Sequence, residues 1–502
     1  MELFDKLDAN ERYMREAFAQ CDDFVNRRMT AHIGRRRDVC VMYIDMLANA
    51  RIVDMSIISR LMPDGKTVCD DALPLLEAMK AGGISVADLE EARDFETVLM
   101  AIMSGDTAVF VDGYDCALIV SSRGFPNRGV PSAEVEVVVQ GSHEAFSEVF
   151  RINTALLRRR IRDTRLKIEQ SRVGRRSGTD VALVYLEDVA RPAIVQAAAD
   201  RLGNIDIDAV LDIGYIEQFI EDDWLSPFPQ TQLTERPDKA ASAILEGRVV
   251  ILADNSPFAM ILPTTFNAFF QASEDYYQRF QIMSLVRLIR FAAAFLAVAL
   301  PGLYIALAVF HPSMLPMMLM LKMAGARAHV PFPAVLEILM MELAFELLRE
   351  AGVRLPGPIG GTIGIVGGLI VGQAAVEAGL VSPIVVIVAA ITGIAGFAVP
   401  HYSLVSGFRL MKYVVILFSA FLGLFGFWTA AFLILIHLAS LKSFGVPYLL
   451  PFAAGGINRY EDAKDTLFRL PLFAMKKRPF FADPAQRMRL KLPRMGNKRG
   501  KE

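Results

Sequence analysis

The stretch from Leu355 to Pro400 constrains the fold of this chain more than any other, because its only charged residue is Glu377. Uncharged runs of this length are typical of segments that cross a bilayer. Within the run, glycine recurs at every fourth position, and this spacing places the glycines on one face of a helix. A face of small residues lets a second helix approach closely. We therefore predict membrane helices built for close packing, with the glycine face formed by Gly360, Gly364, Gly368 and Gly372.

The rest of the chain divides into two parts of different composition. Charged residues make up 22% of the sequence, which is ordinary for a soluble protein, and residues 1–290 contain no long apolar run. Later segments lack Asp, Glu, Lys and Arg and approach or exceed the length needed to cross a bilayer. We predict an α/β cytosolic region followed by an all-α polytopic membrane domain with about four spans, at 291–310, 355–376, 378–400 and 413–441.

The distribution of basic residues predicts the orientation of these spans. Arg279, Arg287 and Arg290 precede the first span, and the residues after the last span are rich in lysine and arginine. Under the positive-inside rule both flanks are cytoplasmic, which requires an even number of spans. Residues 1–36 are charged throughout, so no signal peptide is expected. The basic end either contacts anionic lipid or serves only as a topology signal in a disordered tail.

The N-terminal part contains an internal repeat. The segment DVCVMYIDMLANARIV at 38–53 matches DVALVYLEDVARPAIV at 180–195, and VFVDGYDCALIV at 109–120 matches VILADNSPFAMIL at 250–262. Asp38 falls on Asp180 and Asp112 falls on Asp254, so two separate blocks share one offset. We therefore predict two tandem copies of one α/β unit. The predicted domains are subdomain 1 at 1–130, subdomain 2 at 131–280, a transmembrane domain at 281–442 and a basic cytosolic tail at 443–502.

Local patterns predict the elements of each copy. An apolar strand (39–44; 181–186) precedes a helix (about 50–62; about 191–202), and a hairpin turn follows at Asp112-Gly113 or Asp254-Asn255. Apolar residues at helical spacing predict a helix over 143–162, whose arginines occupy a solvated or inter-domain face. The proline-rich segment 226–239 predicts a shaped loop, and a connecting helix is expected from about 265.

Motifs for catalysis or metal binding are missing from the sequence. We find no phosphate-binding GxxxxGK[ST], no HExxH and no GxSxG, so neither an enzyme nor a cofactor is expected. The acid pairs Glu134/Glu136 and Glu187/Asp188 lack surroundings that would tune their pKa values. The four cysteines form no CxxC pair, and we expect reduced thiols without a metal: Cys21, Cys40, Cys69 and Cys116.

Acidic residues in the predicted membrane domain are the main candidates for a functional site. Within the amphipathic or re-entrant segment 314–351, Glu342 and Glu346 share a helix face with Glu350, whereas Glu337 points elsewhere. Such acids either line an ion pathway, for which Glu337, Glu342 and Glu346 are the candidates, or lie in headgroup water on an interfacial helix. Gln373 and Glu377 end the glycine helix, where they line a vestibule or mark the membrane boundary. The glycine face itself either packs against another helix or lines a pore.

The order of several motifs resembles the GerA family of bacterial spore germination proteins, A-subunit type. The resemblance covers nearly the whole chain. One departure is YIDMLANARIV at 43–53, which lacks the glycine-bearing turn expected after YID. The motifs that carry the resemblance are QGSHEAFSEVFRINTALLRRRIRD (140–163), VGRRSGTDVALVYLEDVA (173–190), FPQTQLTERPDKAASAILEGRVVILADNSPFA (228–259), FQASEDYYQRF (270–280), PFPAVLEILMMELAFELLREAGVRLPGPIGGTIGIVGGLIVGQAAVEAGLVSP (331–383) and LPLFAMKKRP (470–479).

The resemblance implies an integral protein of the spore inner membrane that assembles with B- and C-type subunits of the family. It also implies a homo-oligomeric channel for the ion release that begins germination. The residues themselves predict only membrane anchoring, helix packing and a duplicated cytosolic module. A membrane scaffold that conducts nothing therefore stays open as the alternative, and no nucleic-acid partner is expected.

Overall fold

The computed structural model describes residues 1–31, 37–62, 75–79, 84, 89–124, 132–133, 136–354, 368, 370–453 and 461–490. The chain forms two compact units. The first, here the sheet unit, comprises Met1–Asp222, Thr231–Thr264 and the segment from Leu472 onward. The second, here the helical unit, comprises Asp223–Gln230 and Thr265–Pro471.

The first sheet of the sheet unit has five antiparallel strands in the order β1-β2-β4-β5-β3. Alternating side chains of one strand reach opposite faces of the sheet. Cys40 and Met42 lie in the core formed with α1 (Leu7–Ala17) and α4 (Phe95–Met103), whereas Val39 and Val41 lie in the core formed with the helix α2 that begins at Ala50. The strands are β1 (Phe24–Ala31), β2 (Arg37–Ile44), β3 (Leu89–Ala92), β4 (Thr107–Val111) and β5 (Ala117–Val120).

Four helices of the described residues belong to this first sheet. Helix α2 begins as Ala50–Ile52, continues through π-helical turns at Val53–Ile58 and ends with Ser59–Leu61. Asn49 and Asp94 cap the N-termini of α2 and α4 with side-chain oxygens that accept backbone N–H groups. The other helices are α1 (Leu7–Ala17), α3 (Leu75–Ala78) and α4 (Phe95–Met103).

The second sheet has the corresponding strand order, β6-β7-β9-β10-β8, again fully antiparallel. Its core side chains come from alternating positions of the strands and from the helices that cover them. The strands are β6 (Leu166–Val173), β7 (Thr179–Leu186), β8 (Gln232–Thr234), β9 (Val249–Ala253) and β10 (Ala259–Leu262). The helices are α5 (Phe150–Arg160), α6 (Pro192–Gly203), α7 (Ile213–Ile220) and α8 (Pro237–Leu245).

Corresponding elements of the two sheets are related by the same offset that relates Asp38 to Asp180 in the sequence. This offset holds for β1 and β6, for β2 and β7, and for α4 and α8, in both their first and last residues. The backbone agrees, since Asp112 N donates to Asp38 O at 3.0 Å and Asp254 N donates to Asp180 O at 2.9 Å. These pairs connect the predicted hairpin turns to the same position of the neighbouring strand.

Three local predictions differ from the structure. The helix expected over 143–162 is helical only at Phe150–Arg160, because Phe146 packs into the core from the preceding extended segment. The loop expected at 226–239 includes strand β8 and the first turn of α8, where proline occupies the first helical position. The helix expected from 265 is two short 3₁₀ turns, at Phe266–Phe270 and Ser273–Tyr276.

Among its described residues, the helical unit contains two apolar helices long enough, by length and composition, to cross a membrane. One runs from Phe280 to Phe310, as α9 (Phe280–Ile305) and a π-helical end, and the other is α13 (Tyr402–Ser440). The predicted spans 291–310 and 413–441 lie within them, apart from the last residue of the second. Helix α12 (Pro383–Phe397), inside the predicted span 378–400, has 15 residues, and most of 355–376 lies outside the described residues. The four-span count stays a prediction.

Helix α13 reverses direction at Gly423. This residue has φ 60° and ψ −135°, a conformation that glycine adopts without steric cost. Beyond the reversal, Gly426 approaches the backbone of Phe418, which a straight helix would hold more than two turns away. Phe228 accordingly contacts both Phe408 and His437. The helix is therefore a hairpin with a first arm at 402–422 and a second arm at 424–440. The prediction of one continuous span at 413–441 is wrong, because the reversal at Gly423 divides that segment between the two arms.

Segments outside the long helices are more ordered than the sequence predicts. The segment 314–351 forms α10 (Met317–Arg327) and most of α11 (Ala334–Arg354). The predicted tail 443–502 begins with the end of a small hairpin of β11 (Lys442–Ser443) and β12 (Val446–Pro447). Farther on, Ala482 is buried in the core of the second sheet and pairs with Ala190. The described part of this tail is therefore packed, because its apolar residues contribute to folded cores.

Candidate functional site

The three acids predicted for an ion pathway lie on α11, and each has a basic partner. Glu337 is fully buried, and its Oε1 accepts a hydrogen bond from Arg327 Nε of α10 at 3.1 Å. Its Oε2 accepts from the backbone N–H of Ser382 at 2.8 Å, at the N-terminus of α12. A carboxylate at this end of a helix interacts favourably with the helix dipole. Glu337 thus joins α10, α11 and α12.

The other two acids face the first arm of α13. Glu342 and Lys412 form an ion pair in which both side chains are buried. One turn along α11, Glu346 pairs with Arg409 of the same arm and with Arg349 of its own helix at 3.3 Å. The residue numbers increase along α11 while they decrease along α13, so the two helices run antiparallel through this contact. We refer to Glu342, Glu346, Arg409 and Lys412 as the charge ladder.

The charge ladder balances its charges. Placing a lone carboxylate in an apolar interior costs far more free energy than placing a paired one. Because two basic residues oppose two acids, α11 and the first arm can pack together without leaving an unpaired charge among these four side chains. The structure therefore brings Glu342 and Glu346 together on one face, as predicted, and adds basic partners that the prediction did not include.

The glycine face is only partly described. Gly360 and Gly364 lie outside the described residues. A Cβ added at Gly368 would lie 4.0 Å from Phe345 of α11, and one at Gly372 would lie 3.3 Å from Val386 of α12. Close approach at Gly372 is typical of packing between small residues and a neighbouring helix. Gln373 Nε2 donates to Glu377 Oε1 at 2.9 Å, and both of these side chains are exposed.

A buried polar cluster at the start of α9 was missed from the sequence. Arg287 and Asp275 are both fully buried and are joined by a hydrogen bond of 2.7 Å. Asp465, from the segment after the last helix, accepts from Arg287 Nη1 at 2.6 Å and from Tyr276 Oη at 2.6 Å. The only signal in the sequence is the set of arginines and aspartates just before an uncharged run. Under the positive-inside rule those arginines predict topology alone.

The described members of the two acid pairs, Glu136, Glu187 and Asp188, each form an ion pair with a basic residue. Glu187 pairs with Lys167 at 3.3 Å, Asp188 pairs with Arg165 at 2.7 Å, and Glu136 pairs with Lys239 at 2.7 Å. Burial lowers the pKa of Lys239, and the neighbouring Glu136 carboxylate opposes that shift. Glu134 lies outside the described residues. In the part of the chain that the structure describes, no three His, Cys, Asp or Glu side chains converge to hold a metal ion.

Comparison with known proteins connects this chain to one family. The profile described as Bacillus/Clostridium GerA spore germination protein matches residues 12–481. The uncharacterized membrane protein YfkQ of Bacillus subtilis (strain 168) is 41% identical and covers 79% of this chain and 77% of its own. Spore germination protein KA of the same organism is 39% identical and covers 88% and 80%. Stage V sporulation protein AF, also of that organism, is 32% identical and covers 80% and 81%.

Proposed function

The chain belongs to the Bacillus/Clostridium GerA spore germination protein family, and from this membership we propose that it is an integral membrane subunit of an ion-release complex. The family assignment made from the sequence motifs is confirmed. The proposal places the chain in the spore inner membrane with both termini cytoplasmic. Two long apolar helices and the positive charges that flank them support this placement. The complex would contain further copies of the chain and B- and C-type subunits.

The charge ladder is the observation that carries this proposal. Ionisable residues inside a membrane domain are costly, and they commonly mark ion pathways or the elements that gate them. With Glu342 and Glu346 paired to the first arm of α13, their carboxylates are not available to a permeating cation. Movement of α11 away from that arm would release both carboxylates together. Two acids on one face, repeated around an oligomer, would then attract cations.

The rest of the helical unit supports such a movement. Gly372 packs closely against Val386 of α12 and Gly368 lies near Phe345 of α11, so the small residues at these two contacts would leave room for α11 to shift. Glu337 accepts hydrogen bonds from α10 and from the start of α12. A shift of α11 would therefore displace its contacts with both helices. Gly360 and Gly364 continue the same sequence pattern. We propose that they belong to this packing surface or to the wall of the pathway.

The sheet unit fits a module for assembly or signal reception. We propose that its two sheets are tandem copies of one α/β unit, supported by the common strand order and by the constant offset between their elements. A duplicated module offers two similar surfaces to partner subunits. The alternative function is a membrane scaffold that assembles germination proteins and conducts nothing.

Ion flux from liposomes that contain the purified chain tests the proposal. We expect release of monovalent cations, and we expect Glu342→Gln with Glu346→Gln to reduce cation selectivity. Lys412→Gln removes the partner of Glu342 and should increase flux, because a carboxylate without its partner is destabilised in the closed packing. Glu90→Gln is the matched control, since it removes one exposed carboxylate of the first sheet, outside the ladder and outside the candidate pore residues.

Two measurements separate the outcomes. Size-exclusion chromatography and thermal unfolding in detergent establish that each variant keeps the oligomer and the fold. Flux that is absent from an intact oligomer would favour the scaffold. Flux that responds to Glu90→Gln as strongly as to the ladder variants would contradict the role of the charge ladder.

A further inference from the structure

The segment Asp223–Gln230 of the helical unit exposes two large apolar side chains next to each other. Trp224 is 78% exposed and Leu225 is 72% exposed. Scattered apolar residues on a protein surface are ordinary. A largely exposed tryptophan beside a largely exposed leucine in a short loop instead forms a compact apolar patch. We call these two residues the loop tip.

Hydrogen bonds hold the loop closed behind its tip. Gln230 Oε1 accepts from Asp223 N at 2.9 Å, and Gln230 Nε2 donates to Asp223 O at 2.6 Å. The Asp223 side chain accepts from Leu225 N at 3.1 Å. The two ends of the segment are therefore tied together, and the loop tip projects from a fixed turn.

The same loop is fastened to both arms of α13. Ser226 Oγ lies 2.9 Å from His437 Nε2 in the second arm, and Phe228 packs edge-on against Phe408 in the first. A Cβ at position 407 would lie 2.6 Å from the carbonyl oxygen of Pro227, so the loop fits closely against Gly407. The loop thus lies beside Phe408 and His437, toward the end of the hairpin that is opposite the reversal at Gly423.

This end of the hairpin coincides with the end of the apolar runs. Phe408 also contacts Phe270, which stacks on Phe291 at 4.0 Å. Phe291 begins a run without Asp, Glu, Lys or Arg that extends to residue 321, and Arg290 immediately precedes it. The second arm ends at Ser440, three residues after His437. In a membrane-spanning hairpin, the polar–apolar interface of the bilayer lies where such runs end.

We infer that Trp224 and Leu225 insert into the interfacial layer of the bilayer and anchor the helical unit there. This inference rests on the proposed membrane insertion of α9 and α13. Tryptophan favours this layer because its ring is apolar while its N–H can still bond to headgroups or water. Lipid, rather than protein, is the occupant because the exposed side chains next to His437 in the second arm, Leu435 and Ile436, are also apolar. The loop tip would thus extend the apolar surface that the inserted hairpin presents to the lipid.

The tryptophan content of the chain allows a direct test. The sequence contains two tryptophans, Trp224 and Trp428, so Trp428→Phe leaves the loop tip as the single reporter. The full-length variant is reconstituted into phosphatidylcholine vesicles whose acyl chains carry bromine either near the headgroup or near the methyl end. We expect shallow bromine to quench Trp224 fluorescence roughly twofold more than deep bromine, as the interfacial location requires.

The reciprocal variant separates this inference from the proposed membrane insertion. Trp224→Phe leaves Trp428, which lies in the second arm, and deep bromine should quench it if the hairpin is inserted. Quenching of Trp428 without any quenching of Trp224 would overturn the anchor and keep the insertion. Trp224 that is shielded from aqueous iodide yet insensitive to both brominated lipids would assign the loop tip to a protein contact and overturn the lipid anchor. If neither tryptophan is quenched, membrane insertion itself fails, and the anchor fails with it.

Discussion

Arg158 and Asp23 form a two-pronged ion pair inside the sheet unit, with Nε–Oδ2 at 2.6 Å and Nη2–Oδ1 at 2.7 Å. Both side chains are buried, at 0% and 4% exposure. Asp23 precedes the first sheet, whereas Arg158 lies near the end of the first helix of the second. The residues before Asp23 also bond to the second sheet, since Ile168 N donates to Gln20 O at 3.2 Å. The ion pair therefore joins the two sheets.

We predict that Asp23→Asn destabilises the sheet unit by about 3–5 kcal/mol, because the buried guanidinium of Arg158 loses its counter-charge. Combining Asp23→Leu with Arg158→Met should recover much of this loss, since it removes both charges. Thermal unfolding of the detergent-solubilised chain measures both effects. Arg172→Gln is the control: Arg172 pairs with Asp180 on the surface, so its loss should cost less than about 1 kcal/mol. A comparable loss of stability from Arg172→Gln would contradict the prediction that the buried ion pair contributes more to stability than the surface ion pair.

The two hairpin turns supply a second matched pair of residues. Asp254 Oδ1 accepts from Phe150 N at 3.1 Å at the start of α5, and Asp112 Oδ1 accepts from Leu7 N at 3.2 Å at the start of α1. Each carboxylate therefore lies in a hairpin turn and accepts a hydrogen bond from a backbone N–H group at the start of a neighbouring helix. We predict that Asp254→Ala and Asp112→Ala each cost about 1 kcal/mol. Calorimetry should show similar decreases in the unfolding temperature.

The control for this comparison is Asp115→Ala, which removes an exposed carboxylate close to the same turn. It should leave the unfolding temperature unchanged within error. If one turn variant destabilised the chain strongly and the other had no effect, the proposed equivalence of the two sheets in tandem copies would be weakened.

The strands of the sheet unit could be predicted from the sequence because the alternation of their side chains is a local pattern. Strand β2 alternates its side chains between two cores, and the offset between the repeated sequence blocks recurs in the folded elements. Even the departure at the expected glycine turn is accommodated, since Met46 adopts φ 62° in its place. Such a backbone conformation is uncommon for a residue with a side chain.

Long-range charge pairing could not be read from the same patterns. Arg158 belongs to an arginine-rich helix, and its burial depends on Asp23, which lies 135 residues earlier. Arg409 and Lys412 likewise gain their role only from the acids of α11. Hydropathy also carries no information on direction, so the reversal at Gly423 inside one apolar run was not predicted. These features depend on tertiary contacts between distant segments.

Cys40 should be protected from thiol reagents in the folded protein. Its side chain is fully buried and donates to Asn26 Oδ1 at 2.6 Å. Burial raises the pKa of the Cys40 thiol to about 12, so the reactive thiolate is scarce at neutral pH. We predict that Cys40 is alkylated at least roughly a hundredfold more slowly in the native chain than in urea. Folding lowers both the fraction of thiolate and the access of the reagent to the sulfur.

Mass spectrometry of peptides after timed iodoacetamide treatment measures this protection residue by residue. Ser171→Cys gives a matched positive control, because position 171 is exposed on an edge strand of the second sheet. That thiol should react at nearly the same rate before and after unfolding. Equal rates for native and unfolded Cys40 would show that the first sheet opens readily.

Glu217 makes the stability of the sheet unit depend on pH. Burial raises the pKa of Glu217, the hydrogen bond from Thr231 opposes this, and the nearby Asp212 adds to the increase. The folded chain therefore binds the proton more tightly than the unfolded chain. The resulting stability is complete below the unfolded pKa of about 4.3, and it is lost as pH rises through the higher folded pKa.

We predict that Glu217→Gln raises the unfolding temperature at pH 7 by a few degrees (about 1 kcal/mol) and leaves it nearly unchanged near pH 4. Glutamine carries no charge and still accepts the hydrogen bond that Thr231 Oγ1 donates at 2.5 Å. Glu90→Gln, an exposed carboxylate of the first sheet, should alter neither temperature. Calorimetry at both pH values provides the measurement. A destabilised Glu217→Gln at pH 7 would mean that the charged carboxylate is favourable in the folded chain, opposite to the expected sign.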